Sequence, residues 1–310
     1  MLVEEHCSNY QRRDIEVVDY QMYTLDGTGL WFRGPQEFDR SSRGYISCVG
    51  AAQTLGCFCD SPYPRLIAEQ LGEPVLNLGY GGAGPRFFAR QPEVIDYVNR
   101  GRLAIIQIMS GRSEDNHLFS SGGLELLTRR SDGKQMGADV AWDSILESRY
   151  LWRRSPIAQS SLRSLCRAVG KQRLKRLVEE TRSAWVDSYV RLLEQITVPK
   201  VILWFSRREP DYEIGFDRVL DVFADYPQLV NAGMVAQVAA MGDAYIKCTT
   251  RRGSPQPLVH RLTGEPVQVC LADDRDDFGT AMWSENDYYP SPGMHEDAAR
   301  MILDYLSTAG

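Results

Sequence analysis

The sequence lacks the cysteine patterns of a metal site or a disulfide scaffold. Its 7 cysteines include no C-x-x-C pair and no cysteine–histidine spacing typical of zinc, and only Cys57 and Cys59 lie close together. An odd number of cysteines in a chain of 310 residues is not typical of a secreted disulfide-bonded protein. We therefore predict reduced cysteines, no bound metal, and a reducing compartment such as a bacterial-type cytoplasm.

Long apolar runs and an excess of positive charge are also missing. No stretch reaches the roughly 18 apolar residues that a membrane-spanning helix needs, and residues 1–6 show no basic segment followed by an apolar one. The 35 lysines and arginines are outnumbered by 41 aspartates and glutamates. A net charge of −6 argues against a general nucleic-acid binder, although it leaves room for a local basic patch. The sequence thus predicts a cytoplasmic globular protein with neither a membrane span nor a nucleic-acid partner.

Short, continuously apolar segments alternate with helical patterns from residue 45 onward. Continuous apolar runs indicate strands that are buried on both faces, which is typical of a parallel sheet covered by helices. We predict an α/β fold, a three-layer sandwich of flavodoxin type around a central parallel sheet, with the first strand near the middle of its sheet. The predicted strands are 45–49, 74–78, 103–109 and 201–205.

The regions outside this alternation predict a short leading segment and an insertion. Residues 1–44 are polar and turn-rich, and residues 45–310 are predicted to form the α/β domain, with a basic helical insertion at about 124–196. From Arg149 to Arg176 there are nine basic residues and no acidic one. A solvated helix surface and an anion site for a phosphate-bearing ligand both fit this pattern. The candidate anion-binding residues are Arg149, Arg153 and Arg154.

The first predicted strand runs into a turn of small residues. Gly50, Ala51 and Ala52 form the turn, and Gln53 and Thr54 follow it. Backbone N–H groups at a sharp strand-to-helix turn converge on one point, which suits an oxyanion or a phosphate. Small residues at such a junction also satisfy a purely steric requirement. Both interpretations remain open at this point.

Three further segments are predicted to reach the same edge of the sheet, where parallel sheets bind their ligands. The candidate ligand-binding residues of the second and third loops are Gly81, Gly82, Arg112, Asn116 and His117. The guanidinium of Arg112 suits a carboxylate or phosphate, but a salt bridge within its own loop is equally compatible. In the last segment, His295 opens the final helix as a candidate general base, and Asp287 is the candidate carboxylate that orients it.

The order of these four segments resembles the SGNH/GDSL hydrolase superfamily. Its Gly-Asp-Ser-x-Thr-x-Gly block is similar to residues 50–56, and its second-block glycine is similar to a glycine within 79–82. Its Gly-x-Asn-Asp block is similar to 110–116, and its Asp-x-x-His block is similar to 292–295. The resemblance implies the three-layer fold and a pocket at this sheet edge.

The sequence departs from that pattern at the residues that do the chemistry. Ala52 stands where the family has its nucleophilic serine, and Ala51 and Pro292 stand where it has aspartates. Alanine has no hydroxyl and forms no acyl-enzyme. More distantly, residues 50–53 resemble the Gly-Asn-Cys-Gln turn of capsule-polysaccharide biosynthesis proteins of the WcbI kind, although the cysteine is absent. That resemblance implies coenzyme A or an acyl-CoA as a donor.

Three hypotheses about function follow. The first is a transferase that moves an acyl or related group in polysaccharide or small-metabolite modification. In this hypothesis His295, at an exposed edge of the sheet, deprotonates the acceptor hydroxyl, and the glycine-rich turns bind the oxyanion. The second is a non-catalytic protein that binds a small molecule or saccharide on a decayed hydrolase scaffold. The third is an esterase-type hydrolase whose nucleophile is relocated to Ser110, Ser113 or Cys57.

Overall fold

The computed structural model describes residues 9–151, 160–212, 215, 219–270 and 282–309. The strands, in chain order, are β1 (Tyr23–Leu25), β2 (Leu30–Phe32), β3 (Ile46–Gly50), β4 (Val75–Gly79), β5 (Leu103–Gln107), β6 (Phe119–Ser121), β7 (Leu126–Arg129), β8 (Gln135–Gly137), β9 (Lys200–Ser206), β10 (Ala244–Thr249), β11 (Gln256–Pro257), β12 (Val269–Cys270), β13 (Met282–Trp283) and β14 (Glu285–Asn286). The helices are α1 (Ala52–Leu55), α2 (Tyr63–Leu71), α3 (Pro85–Ala89), α4 (Pro92–Arg100), α5 (Ala138–Leu151), α6 (Ser160–Gln195), α7 (Val219–Phe223), α8 (Ala232–Ala239) and α9 (Pro292–Ala309).

A sheet of five parallel strands lies at the centre, in the order β10-β9-β5-β3-β4. In the register of this sheet, Ile46 pairs with Val75 on one side and with Leu103 on the other. Every residue of β3, β4 and β5 is buried, as the continuous apolar runs indicate. The predicted α/β fold with a central parallel sheet is therefore confirmed, and the first strand lies inside the sheet, next to the edge strand β4.

Helices cover both faces of the sheet. On one face, α2 and α9 pack their buried side chains, such as Ile67 and Ile302, against Ile46 and Leu203. On the other face, α4, α6 and α8 contribute to a larger core that also includes the β1–β2 hairpin. These two cores and the sheet between them make up the three layers.

Proline and glycine set the helix boundaries near the site. Pro92 begins α4, which is therefore a separate helix from α3. Gly56 ends α1 in the left-handed conformation, with φ at 82°, which glycine adopts without the steric cost of a Cβ atom. The turn after β3 therefore contains one short helix, α1, which ends at Gly56.

The insertion contains strands that the sequence pattern did not predict. Strands β6, β7 and β8 form an antiparallel sheet, and two of them lie in the stretch 124–196, whose helices begin only at Ala138. The candidate anion-binding residues Arg153 and Arg154 lie outside the described residues, as does the side chain of Arg149. The anion site of the insertion remains a prediction.

Within the described ranges, no helix has the length and apolar character that crossing a bilayer would require. The same ranges hold no cluster of three or more histidine, cysteine, aspartate or glutamate side chains arranged to bind a metal ion. Four cysteines are buried free thiols, namely Cys48, Cys57, Cys59 and Cys248, and Cys270 is an exposed free thiol.

Candidate functional site

A cavity of about 240 Å³ opens at the carboxyl edge of the central sheet. The loops that follow β3, β4 and β5 line it, and side chains from the N-terminal segment, the insertion and the segments before α8 and α9 complete its wall. Four of the predicted site segments therefore contribute to one cavity. This position is where a parallel sheet of this order binds ligands.

The side chain of Gln107, which the sequence patterns did not predict as part of the site, fixes the first turn. Oε1 of Gln107 accepts a hydrogen bond from the Ala51 N–H at 3.1 Å and another from the Thr54 hydroxyl at 2.6 Å. Its Nε2 donates to the Tyr226 hydroxyl at 3.2 Å. A polar residue within the otherwise apolar strand β5 was the available signal, because a buried amide needs partners. Gln107 thus ties the turn to the far wall of the cavity.

Of the predicted turn residues, Ala51, Ala52 and Gln53 line the cavity. Gly50 and Thr54 lie directly behind them, and a Cβ atom on Gly50 would come within 2.1 Å of the Thr54 hydroxyl. The side chain at the turn is the methyl group of Ala52, so the turn itself presents no nucleophile.

The glycine-rich second loop forms the neighbouring wall. Gly82 lines the cavity and has φ at 71°, a conformation that favours glycine. Gly81 lies against the ring of Tyr10, because a Cβ atom there would meet Tyr10 Cε2 at 2.5 Å. Tyr10 also lines the cavity, so the N-terminal segment contributes to the site, which the sequence reading did not predict.

The third loop places one of its three candidate residues in the cavity. Arg112 lines it, whereas the buried Asn116 fixes the loop by accepting the N–H groups of Leu118 and Phe119. His117 is exposed, and its Nδ1 pairs with the Glu180 carboxylate at 2.6 Å. The positions of Asn116 and His117 favour structural roles, and ligand binding by either residue stays a prediction.

His295 is fully buried, which corrects the expectation that it lies at an exposed edge of the sheet. Its Nδ1 accepts the Tyr63 N–H at 3.2 Å, and its ring packs near those of Tyr63 and Phe205. Burial lowers the pKa of His295 to about 3, so the ring is neutral at physiological pH. It is absent from the cavity lining.

Asp287 does not orient this histidine in the structure. The Asp287 side chain is exposed, and Nε2 of His295 finds no hydrogen-bond partner in the part of the chain that is described. Two residues that follow Asp287, Tyr288 and Tyr289, line the cavity instead. The catalytic roles of His295 and Asp287 therefore stay predictions that this geometry does not favour.

Five aromatic side chains make up much of the cavity wall: Tyr10, Tyr226, Trp283, Tyr288 and Tyr289. Burial raises the pKa of Tyr226 and of Tyr288 above its ordinary value, which keeps both hydroxyls protonated. The Tyr288 hydroxyl accepts the Nε2 hydrogen of Gln228 at 2.9 Å. The cavity is thus lined by rings with a few polar groups between them, as ligand pockets commonly are.

Two glutamines of the lining have side-chain oxygens without a hydrogen-bond partner among the described residues. Gln53 is 2 % exposed and Gln228 is 5 % exposed. The side-chain oxygen of each is buried and has no hydrogen-bond partner among the described residues. Because buried carbonyl groups are nearly always paired in folded proteins, these two oxygens call for donors from outside the protein.

The charged groups of the lining are two carboxylates and one guanidinium. Arg112 Nη1 donates to both carboxylate oxygens of Asp139 at 2.8 Å, and Nη2 donates to Glu125 Oε1 at 3.1 Å. Among the described lining residues, Arg112 is the one cationic side chain, and it is already paired twice. The cavity is therefore not arranged for a phosphate group.

A buried carboxyl lies just behind this wall. Glu114 accepts hydrogen bonds from Arg86 at 2.8 Å and Ser188 at 2.9 Å through Oε2. Burial raises its pKa to about 7, although Arg86 opposes the shift. The Arg86–Glu114 pair links α3, which follows the second loop, to the third loop and so joins two walls of the cavity.

A larger hollow, of about 380 Å³, lies around Arg33, Arg65 and Arg261. Arg33 is buried there, and its guanidinium donates to three backbone carbonyls, those of Leu55, Gly56 and Asp60. None of the predicted site residues lines this hollow. The 240 Å³ cavity is therefore the candidate functional site.

Two solved structures are similar to this chain at the level of the backbone. One is a carbohydrate esterase family 2 enzyme with a carbohydrate binding domain from Corynascus thermopiles (Myceliophthora fergusii): it is 13% identical, has a TM-score of 0.38, and the match covers 89% of this chain and 69% of that one. The other is a family two carbohydrate esterase from Clostridium thermocellum in complex with cellohexaose, at 9% identity, a TM-score of 0.37, and coverage of 90% and 69%. At these TM-scores neither enzyme's activity can be transferred to this chain.

No curated protein matches the sequence. A family model does match it, over residues 8–122 and 159–275. These two segments include β3, β4 and β5 with the turn and both loops that follow them, and they cover well over half of the chain. The chain belongs to the family described as Domain of unknown function (DUF6473).

Proposed function

We propose that the chain binds a small polyhydroxylated ligand, such as one sugar unit of a saccharide, in the cavity at the carboxyl edge of the sheet. The observation that carries this proposal is the pair of buried, unpartnered oxygens of Gln53 and Gln228 in a cavity walled by aromatic rings. A sugar offers hydroxyl donors along its rim and apolar C–H groups on its faces. Such a ligand would satisfy both oxygens while its faces contact the rings.

The size and charge of the cavity fit one sugar unit better than a nucleotide-like donor. A volume of about 240 Å³ lies below the range of roughly 300–1,000 Å³ that accommodates drug-sized ligands. The doubly paired Arg112 leaves no free cation for a pyrophosphate among the described lining residues. Coenzyme A would therefore have to extend beyond this cavity.

Replacing either glutamine by methionine is expected to weaken saccharide binding. Methionine preserves the length of the side chain and removes the acceptor, and one hydrogen bond of about 0.5–1.5 kcal/mol corresponds to a loss of roughly two- to tenfold. The measurement is isothermal titration calorimetry with a panel of neutral oligosaccharides, on Gln53→Met and Gln228→Met.

The matched control is Gln237→Met, because Gln237 is exposed on α8 and donates to Gly233 within its own helix. This variant should bind like the wild type. Unchanged affinity in Gln53→Met and in Gln228→Met would contradict the proposal, as would a panel in which no saccharide binds.

Group transfer to the bound ligand is a second candidate. It is favoured by the partly exposed carboxylates of Glu125 and Asp139, which lie in the same cavity as the turn that carries Ala52. In this mechanism a ligand hydroxyl attacks the thioester carbonyl of an acyl-CoA, the C–O bond forms as the C–S bond breaks, and a carboxylate accepts the hydroxyl proton. Thiol release from acetyl-CoA that requires both the saccharide and Glu125 would support it, and binding without thiol release would leave the binding function alone.

A relocated serine nucleophile has less support. Ser110 and Ser113 line the cavity, but the Ser110 hydroxyl accepts the Arg112 N–H at 3.2 Å, and His295 does not reach the lining. Among the described contacts, no histidine is hydrogen-bonded to either serine, so neither serine has the paired base that activates a hydroxyl.

A further inference from the structure

The charged groups of the cavity leave an excess of negative charge. Arg112 is the common partner of Asp139 and Glu125, so one positive charge faces two negative ones. The remaining described residues of the lining are aromatic, amide, hydroxyl or small side chains. The charged side chains of the described lining therefore sum to a net charge of about −1.

The carboxylates are also easier to reach than the arginine. The side chain of Asp139 is 51% exposed and that of Glu125 is 34% exposed, whereas that of Arg112 is 14% exposed. An anionic ligand would meet both carboxylates before it reached the guanidinium, which is already paired with them. A cationic group would instead be attracted by the two carboxylates, and the arginine would hold them in place without blocking their exposed sides.

Aromatic rings add a second preference for a cation. Tyr288 and Tyr289 are adjacent, with ring centroids 4.9 Å apart at nearly a right angle, and Trp283 lines the same cavity. The faces of tyrosine and tryptophan rings attract cations through their quadrupoles. Rings and carboxylates around one small volume form the environment that suits an ammonium group.

We propose that the ligand carries a protonated amino group, so that the sugar unit is an amino sugar with a free amine, recognised by Glu125, Asp139 and the aromatic wall. The inference rests on the proposed function and narrows it to a substrate class. The buried oxygens of Gln53 and Gln228, which are separate from the carboxylates, accept the hydroxyl donors of the same unit. The N-acetylated form of this sugar lacks the charge and is the poorer ligand.

The experiment compares chitosan-derived oligosaccharides, which carry free amines, with chitin-derived oligosaccharides of the same length, which are N-acetylated. Calorimetry should give a preference of about tenfold for the amine, which lies within the range of about three- to thirtyfold for a partly exposed ion pair and a cation–π contact acting together. Glu125→Gln and Asp139→Asn should each lower affinity for the amine more than affinity for the acetylated form, and so reduce this preference. Asp132→Asn is the matched control, because Asp132 forms an exposed pair with Arg129 away from the cavity lining.

Each outcome separates the two proposals. Equal binding of both oligosaccharides, or an amine preference that persists in folded Glu125→Gln and Asp139→Asn, overturns the amine inference and leaves saccharide binding intact. If neither oligosaccharide binds, tetramethylammonium is the remaining probe. Its binding in the wild type and loss in Glu125→Gln would support the cationic group and overturn the saccharide, and its failure to bind would overturn both. If Asp139→Asn does not fold, Glu125→Gln alone tests the inference, because the ion pair between Asp139 and Arg112 is retained in that variant.

Discussion

Replacing Gly79 by alanine is expected to lower the free energy of unfolding by about 3 kcal/mol or more, the upper range for overpacking. Gly79 is the last residue of β4, and a Cβ atom there would come within 2.0 Å of the Leu55 backbone nitrogen and 2.5 Å of its Cα. Both atoms belong to the backbone of α1, so no side-chain rotation relieves the contact. Urea denaturation followed by circular dichroism measures the change.

The control for this prediction is Gly122→Ala. A Cβ atom on Gly122 would have no heavy atom within 4 Å, and its φ lies outside the left-handed region. This change should alter the free energy of unfolding by less than about 0.5 kcal/mol. Equal stability of the two variants would show that α1 does not pack on β4 as described, and the turn that lines the cavity would then lie elsewhere.

Replacing His295 by asparagine is expected to make the protein more resistant to acid relative to its own stability at neutral pH. Because burial lowers the pKa of His295 from 6.5 to about 3, the unfolded chain binds a proton below pH 6.5 that the folded chain cannot bind. The contribution of His295 is therefore complete above pH 6.5 and is lost as the pH falls toward 3. Between pH 6.5 and 4.5 the loss is about 2–3 kcal/mol, at 1.36 kcal/mol for each unit.

The measurement is the difference in the free energy of unfolding between wild type and His295→Asn across this pH range. The asparagine oxygen replaces Nδ1 as the acceptor of the Tyr63 N–H, and it does not ionise. The difference is needed because Glu114 acts in the opposite direction: its pKa is raised from 4.5 to about 7, so its contribution is complete below pH 4.5 and is lost as the pH rises through 7.

The partly exposed His260 provides a matched variant, His260→Asn, that removes a histidine without disturbing a buried ring. If the free energies of unfolding of the wild type and of His295→Asn fall by the same amount as the pH is lowered, the buried position of His295 is contradicted. An imidazole that titrates near its ordinary pKa would also revive the prediction that it acts as a general base at the sheet edge.

The central sheet was predictable because its strands are continuously apolar and end at turns of small residues. Strand β3 was predicted at 45–49 and lies at Ile46–Gly50, and β9 was predicted at 201–205 and lies at Lys200–Ser206. Burial on both faces leaves few polar residues in these runs, such as Ser47 in β3 and Asn77 in β4, so the apolar pattern stands out. The two strands β7 and β8 were missed because they are only four and three residues long and mostly exposed or half-buried, so neither shows a clear apolar period.

The cavity was predictable only where the loops of the sheet form it. Ala51 and Gly82 were found from the turn and the glycine-rich loop, because the carboxyl ends of parallel strands share an edge. Tyr10, Glu125 and Asp139 come from the N-terminal segment and the insertion, and only tertiary packing brings them to the same place.

The burial of His295 was not predictable for a related reason. Its position at the start of α9 predicted a site at the sheet edge, and the sequence does not show that Tyr63 and Phe205 enclose it. A histidine within an apolar cluster and a histidine at a cavity carry the same local sequence signal. Burial decides between them, and burial depends on residues distant along the chain.

The most direct test of the central claim is a crystal structure of the chain with the saccharide that binds most tightly in the calorimetric panel. The account predicts one sugar unit in the 240 Å³ cavity, with a hydroxyl about 3 Å from the side-chain oxygen of Gln53 or Gln228 and no covalent bond to the first turn. A saccharide bound in the hollow around Arg33, or elsewhere on the surface with this cavity empty, would contradict it.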